Sequence, residues 1–118
     1  ITFMATIEGL SIGKHYGLDP NVMTDVLNAS TGMSWISRTH IKQRIISRKF
    51  DDQFKLALMV KDIGIATAMA NQTDIPVPCS ALAHQLWRAA DRYAGEGSSI
   101  SEVARWVEHV TGVEITDK

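Results

Sequence analysis

Lys61 and Asp62 stand side by side inside FKLALMVKDIGIATAMA, the stretch from Phe54 to Ala70, where little else after Lys55 is polar. An ammonium group among apolar side chains can hold a carboxylate or a phosphate, and a neighbouring carboxylate can orient it. Left unpaired in a dry interior, that charge is strongly destabilising. A lysine here therefore needs an ionic partner, a stem that reaches water, or a wet cleft. On a helical wheel, Phe54, Leu58, Lys61, Ile65 and Met69 fall on one side, with Asp62 at its margin. Leu56, Met59, Ile63 and Ala70 fall on the opposite side. This pattern has no solvent face, so it predicts a central helix, apolar all round, with Lys61 pointing into a cleft. There Lys61 meets an anionic ligand, and Asp62 orients the ligand or the lysine. The plainer alternative is a lysine that reaches the surface beside an aspartate with no special role.

Other chemistry-bearing residues are sparser. His15, His40, His84 and His109 lie on separate segments, with no helical spacing to one another or to a carboxylate cluster, so no metal site is expected. The single cysteine, Cys79, excludes an internal disulfide and a cysteine-rich zinc cluster. It favours a reducing, cytoplasmic setting. It shares a helical stripe with Leu82, Leu86 and Tyr93, which predicts a core thiol. Between Ser37 and Phe50 the chain carries Arg38, Lys42, Arg44, Arg48 and Lys49 and no acid. With Trp35 nearby, this is a candidate phosphate-contacting patch. Asp51 and Asp52 follow at once, so a solvated, balanced helix face is the preferred reading.

The elements that must position these residues are all helical. The chain has 118 residues, 45% of them hydrophobic, and a net charge of -1. That is enough for one domain with one core. The charge offers no field for nucleic acid or acidic membranes, and no apolar run is long enough to span a bilayer. No segment alternates like a strand, so about six helices and no sheet are expected. The first runs to Tyr16 and stops at Gly17. Asp19 and Pro20 open the second, which ends near Ser30. Ser34 caps a third, from Trp35 to Ile46, and a polar link runs from Ser47 to Asp52. The long apolar helix covers Gln53 to Asn71, followed by an extended linker from Thr73 to Pro78. Another helix runs from Pro78 to Tyr93, and Gly95 to Ser99 form a loop. Ser99 and Glu102 have capping-box spacing for a last helix that stops at Gly112. Ile100, Val103, Val107 and Val110 form its packing stripe, and the tail VEITDK is expected to be loose. Ala5, Gly9, Gly13 and Gly17 recur every four residues in the first helix. Such a stripe suggests close approach of another helix, within the chain or across a dimer. The chain opens ITFMATIEGLSIGKHYG, without an initiator Met or a cap, which suggests a piece of a longer protein.

The string F-K-L-A-L-M-V-K-D-I-G-I-A, then A-M-A-N and I-P-V-P, resembles the C-terminal domain of the β-hydroxyacid dehydrogenases, the 3-hydroxyisobutyrate dehydrogenase family. Glu8, with Gly9 in place of that family's alanine, Gly17 to Pro20, and S-T-G-M-S-W from Ser30 to Trp35 match in the same order. The resemblance implies an all-α fold like the C-terminal domain of 6-phosphogluconate dehydrogenase, a compact bundle around the central apolar helix. It implies that residues 1–118 are one helical domain, that a Rossmann domain lies upstream, and that the active site lies between the two. It implies NAD or NADP as cofactor, a small 3-hydroxy acid or its semialdehyde as substrate, and a homo-oligomer, dimer or tetramer. Phe54 and Lys61 would line the cofactor side of the cleft. Lys61, Asp62, Ser30 and Ser34 would face substrate. The family's general acid/base lysine, in a G-x-x-x-K-x-x-N setting, would lie just upstream of Ile1. Lys14 does not match it, and no G-x-G-x-x-G follows a strand, so this chain alone should be inactive. The rival readings are a helical binding module that uses the Arg38 to Lys49 segment and a dimer scaffold without catalysis.

Overall fold

The computed structural model describes all 118 residues. Helix α1 spans Thr2–His15, α2 Pro20–Asn28 and α3 Trp35–Thr39. A π-helix follows at Ile41–Ile46, then α4 at Leu56–Gln72 and α5 at Pro78–Ala94. A 3₁₀ turn, Ile100–Glu102, leads into α6, Val103–Thr111. The fold is all-α, as expected, and its one trace of β pairing is an isolated bridge between Lys55 and Ser99.

Local chemistry explains most of the boundaries. Gly17, at φ 89°, ends α1, and the Leu18 N–H returns to the Gly13 carbonyl at 3.0 Å. Asp19 accepts the Asn21 N–H at 2.7 Å and caps α2, with Pro20 in the first turn. Ser34 accepts the Ser37 N–H at 3.1 Å, while the Ser37 hydroxyl accepts the Ser34 N–H at 2.8 Å. The predicted third helix is broken in two: the segment after His40 widens into π geometry, with the Ile45 N–H reaching back to the His40 carbonyl. The widening turns Ile41, Ile45 and Ile46 into the core together.

The core is built where α1, the π-helix, α5 and α6 meet. Ile7, Ile41, Ile45, Trp87, Val103 and Val107 are among its buried side chains. Three expectations are corrected here. First, α4 is not central: Leu56 is its one buried residue. It packs mainly on α5 and, at its start, on the 3₁₀ turn. Only its Met59, Val60 and Ile63 side is partly covered. An apolar helix need not be enclosed when many of its outward residues, such as Ala57, Ala66 and Ala68, expose so little area. Second, Cys79 is exposed, as are Leu82 and Tyr93, because α5 buries its Ala83, Trp87 and Ala90 stripe instead. Val110 is likewise open, whereas the rest of its stripe is core. Third, the C-terminal tail is docked. Ile115 is fully buried, its N–H donates to Glu108 at 2.8 Å, and Arg48 grips Glu108 in a two-pronged pair.

Candidate functional site

The start of α4 is pinned by the backbone. The Leu56 N–H donates to the Ser98 carbonyl at 3.0 Å, and the Phe54 carbonyl accepts the Ile100 N–H at 2.9 Å. This fixes Phe54 at the helix entry with its ring partly exposed. From there Leu58, Lys61, Ile65 and Met69 follow one another along the outward side of α4, all exposed. The helical wheel therefore grouped these side chains correctly, but their side faces outward from the domain. Lys61 and Asp62 are 60% and 55% exposed, with Lys61 Nζ 3.3 Å from Asp62 Oδ1. The inner face of α4 is held close to α5 by Gly64: a Cβ there would lie 3.1 Å from His84 Nε2.

This arrangement is the reverse of an ordinary surface helix. A half-exposed ion pair sits in a row of large apolar side chains that nothing in this chain covers. An exposed pair of this kind is worth little to stability. Its ammonium keeps donors free for an anionic group, and Phe54, Leu58 and Ile65 offer apolar surface beside it. Such a face can bound one side of a cleft that holds a flat, partly charged ligand.

Ser30 and Ser34 lie elsewhere, on the α2–α3 corner. The Ser30 hydroxyl is exposed and donates to the Leu27 carbonyl at 3.2 Å. The Ser34 hydroxyl is occupied as the α3 cap. This corner packs mainly on α1 and the π-helix, whereas α4 packs on α5, so the chain does not bring the two serines onto the Lys61 face.

The basic segment is largely neutralised. Lys42 pairs with Asp25 at 2.6 Å, Arg44 pairs with both Asp51 and Asp52, and Arg48 pairs with Glu108 and Glu114. The Arg44 guanidinium bonded to Asp51 holds that carboxyl below its usual range. Arg38 and Lys49 alone do not make the cation stripe that a phosphate backbone requires. The reading of a solvated face balanced by Asp51 and Asp52 holds for Asp51 alone: Asp52 is 6% exposed, with His40 Nε2 at 3.1 Å and the Ser101 N–H at 3.3 Å. The adjacent Asp51-Asp52 pair carried no signal as to which carboxylate turns inward. No group of three or more His, Cys, Asp or Glu side chains is placed to hold a metal ion, and no helix is long and apolar enough to cross a membrane.

Comparison with known proteins gives this geometry a context. Residues 1–107 match the family described as NAD-binding of NADP-dependent 3-hydroxyisobutyrate dehydrogenase. The mitochondrial 3-hydroxyisobutyrate dehydrogenase of Homo sapiens is 33% identical over 94 residues, which are 75% of this chain and 28% of that protein. The L-threonate dehydrogenase of Cupriavidus necator is 28% identical over 114 residues, 97% of this chain and 37% of that protein. The crystal structure of a 3-hydroxyisobutyrate dehydrogenase from Salmonella typhimurium superposes with a TM-score of 0.78 at 21% identity, covering 88% of this chain and 36% of that one. The latter likeness establishes the fold. The chain thus spans about a third of the length of the relatives it matches.

Proposed function

Because the chain belongs to the 3-hydroxyisobutyrate dehydrogenase family, whose cofactor is NAD or NADP, we propose that it is the helical, cleft-closing domain of an NAD(P)-dependent oxidoreductase. The substrate class is a small 3-hydroxy acid or its semialdehyde, by analogy with relatives named for 3-hydroxyisobutyrate and L-threonate. One observation carries the reading: the open α4 face, where Lys61 and Asp62 stand among exposed Leu58, Ile65 and Met69. A monomeric domain gains nothing by leaving that face bare, whereas a cleft shared with a second domain would use it.

The residues fit part of such a ligand. Lys61 can place its ammonium against a substrate carboxylate or the charged edge of the cofactor. Phe54 and Leu58 can pack against a ring and exclude water. Asp62, 3.3 Å from Lys61, limits where that ammonium can go. The Gly95, Glu96 and Gly97 turn does not fit a pyrophosphate in the manner of a dinucleotide fingerprint, since it joins α5 to the 3₁₀ segment and not a strand to a helix. The bound nicotinamide supplies the hydride acceptor. The proton acceptor for the substrate hydroxyl is proposed to lie on a second domain of the complete protein. The same domain is proposed to self-associate.

The test is to mix the complete protein with NAD⁺ or NADP⁺ and a panel of small 3-hydroxy acids, and to follow reduced nicotinamide. Reduction by the complete protein, and none by the isolated chain, is expected. A complete protein that reduces neither cofactor with any member of the panel would overturn the reading.

A further inference from the structure

We infer that His40 and Asp52 form a proton-dependent joint that sets where the start of α4, and with it the Lys61 face, stands relative to the α2–α3 corner. The joint is a property of this chain, and its effect on turnover rests on the cleft reading. The link from Arg48 to Phe54 has no helix or strand of its own. It is stitched instead to the segment that opens α6. The Ser99 hydroxyl donates to the Phe50 carbonyl at 2.7 Å, and the Ser101 N–H donates to Asp52 at 3.3 Å. Together with the Ile100 N–H on the Phe54 carbonyl, these bonds make the entry to α4 one piece with the 3₁₀ turn. His40 reaches that piece from the other side. It closes α3 and opens the π-helix, and its Nε2 lies 3.1 Å from Asp52 Oδ1.

A count of hydrogens makes this contact depend on a proton. The Thr39 hydroxyl has a single hydrogen and sits 2.6 Å from the Trp35 carbonyl, which can only accept, so the hydrogen lies there. The same hydroxyl oxygen is 2.7 Å from His40 Nδ1. It can receive a hydrogen from Nδ1 but has none left to give. The Asp52 carboxylate is likewise an acceptor at Nε2. With all three contacts made, both ring nitrogens carry hydrogen and the ring is an imidazolium. A neutral ring must release one contact, or pull the Thr39 hydroxyl off the last turn of α3.

The charges around the ring agree. Asp51 and Asp52 both meet Arg44, whose Nε is 3.5 Å from Asp52 Oδ1, so two carboxylates share one guanidinium. A positive His40 supplies the second cation. The 3₁₀ turn faces the pair with the uncharged Ser101 N–H, and α1 with the Phe3 ring, edge-on at 5.8 Å between centroids. Asp52 is 6% and His40 19% exposed, so water screens the pair little. The joint is complete on the acid side. It loosens as pH rises through the range in which imidazoles give up their proton, roughly pH 5 to 8.

The test is a pH series of heteronuclear NMR spectra of this chain, from about pH 5 to about pH 9, beside kinetics of the complete protein. The backbone amides of Asp52, Phe54 and Leu56 should shift in step with the His40 ring. They should stay still in His40→Gln, which keeps a donor for Asp52 and cannot titrate. Thr39→Val, which removes the acceptor at Nδ1, should move the titration of the ring to lower pH. In the complete protein, the ratio of wild-type to His40→Gln kcat/KM should fall about 5-fold or more from the acid to the basic end. Amides that ignore the His40 titration, or that shift equally in His40→Gln, overturn the joint. A titration that Thr39→Val leaves in place overturns the proton count. Shifting amides with a flat kinetic ratio overturn the effect on the Lys61 face. An inactive complete protein overturns the cleft reading alone, and the spectra then decide the joint.

Discussion

At the scale of single residues, Lys61 and Asp62 do almost nothing for the fold. Lys61 touches Asp62 and is otherwise open, so it contributes little to the fold. The serines separate in the same way. Ser34 caps α3 through the Ser37 N–H, whereas Ser30 bonds only the Leu27 carbonyl one turn back. Ser34→Ala should therefore cost about 1 kcal/mol. Ser30→Ala should stay within about 0.5 kcal/mol, as exposed substitutions usually do. Urea unfolding monitored by circular dichroism measures both. Equal costs would mean that the cap is not what Ser34 contributes. The sequence made both serines visible through their match to S-T-G-M-S-W. It also made Lys61 visible, because a charge stands out in an apolar run. It did not reveal Asp52, since two adjacent aspartates look alike until the chain turns one toward His40.

At the scale of elements, caps and glycines were legible and burial was not. Gly17, Asp19, Ser34 and Gly112 each mark a boundary that the structure keeps. These signals act within a few residues, so the local sequence contains them. The placement of α4 depends on which helices outcompete it for the interior, and that is a property of the whole chain. The same holds for the π-helix, where inward rotation of three isoleucines overrides regular α geometry. The tail shows how few contacts decide the matter. VEITDK reads as loose, yet Glu108 receives both Arg48 and the Ile115 N–H. Its carboxylate is 10% exposed, so removing it leaves the Arg48 guanidinium with only the exposed Glu114 and the Ile115 carbonyl, and leaves the buried Ile115 N–H unpaired. Glu108→Ala should destabilise the fold by about 2–4 kcal/mol. It should also release the tail, which hydrogen exchange at Ile115 would report. Native-like protection at Ile115 in that variant would show that apolar burial alone docks the tail.

At the scale of the whole molecule, two apolar faces remain open on one small domain. One is the outward side of α4, and the other spans α1 and α2. A core built from α1, α5, α6 and the π-helix satisfies the fold without either. Large uncovered faces on a soluble domain mark contact surfaces. The outward side of α4 is proposed to face a catalytic cleft. The cleft assignment is the central claim, and steady-state kinetics of the complete protein carrying Lys61→Ala test it most directly. With the ammonium gone, kcat/KM for the hydroxy acid should fall by about 10²-fold, the usual effect of losing one charge-stabilising donor. The melting temperature should hold, because an exposed pair contributes little to stability. A Lys61→Ala enzyme with wild-type kcat/KM would contradict the account.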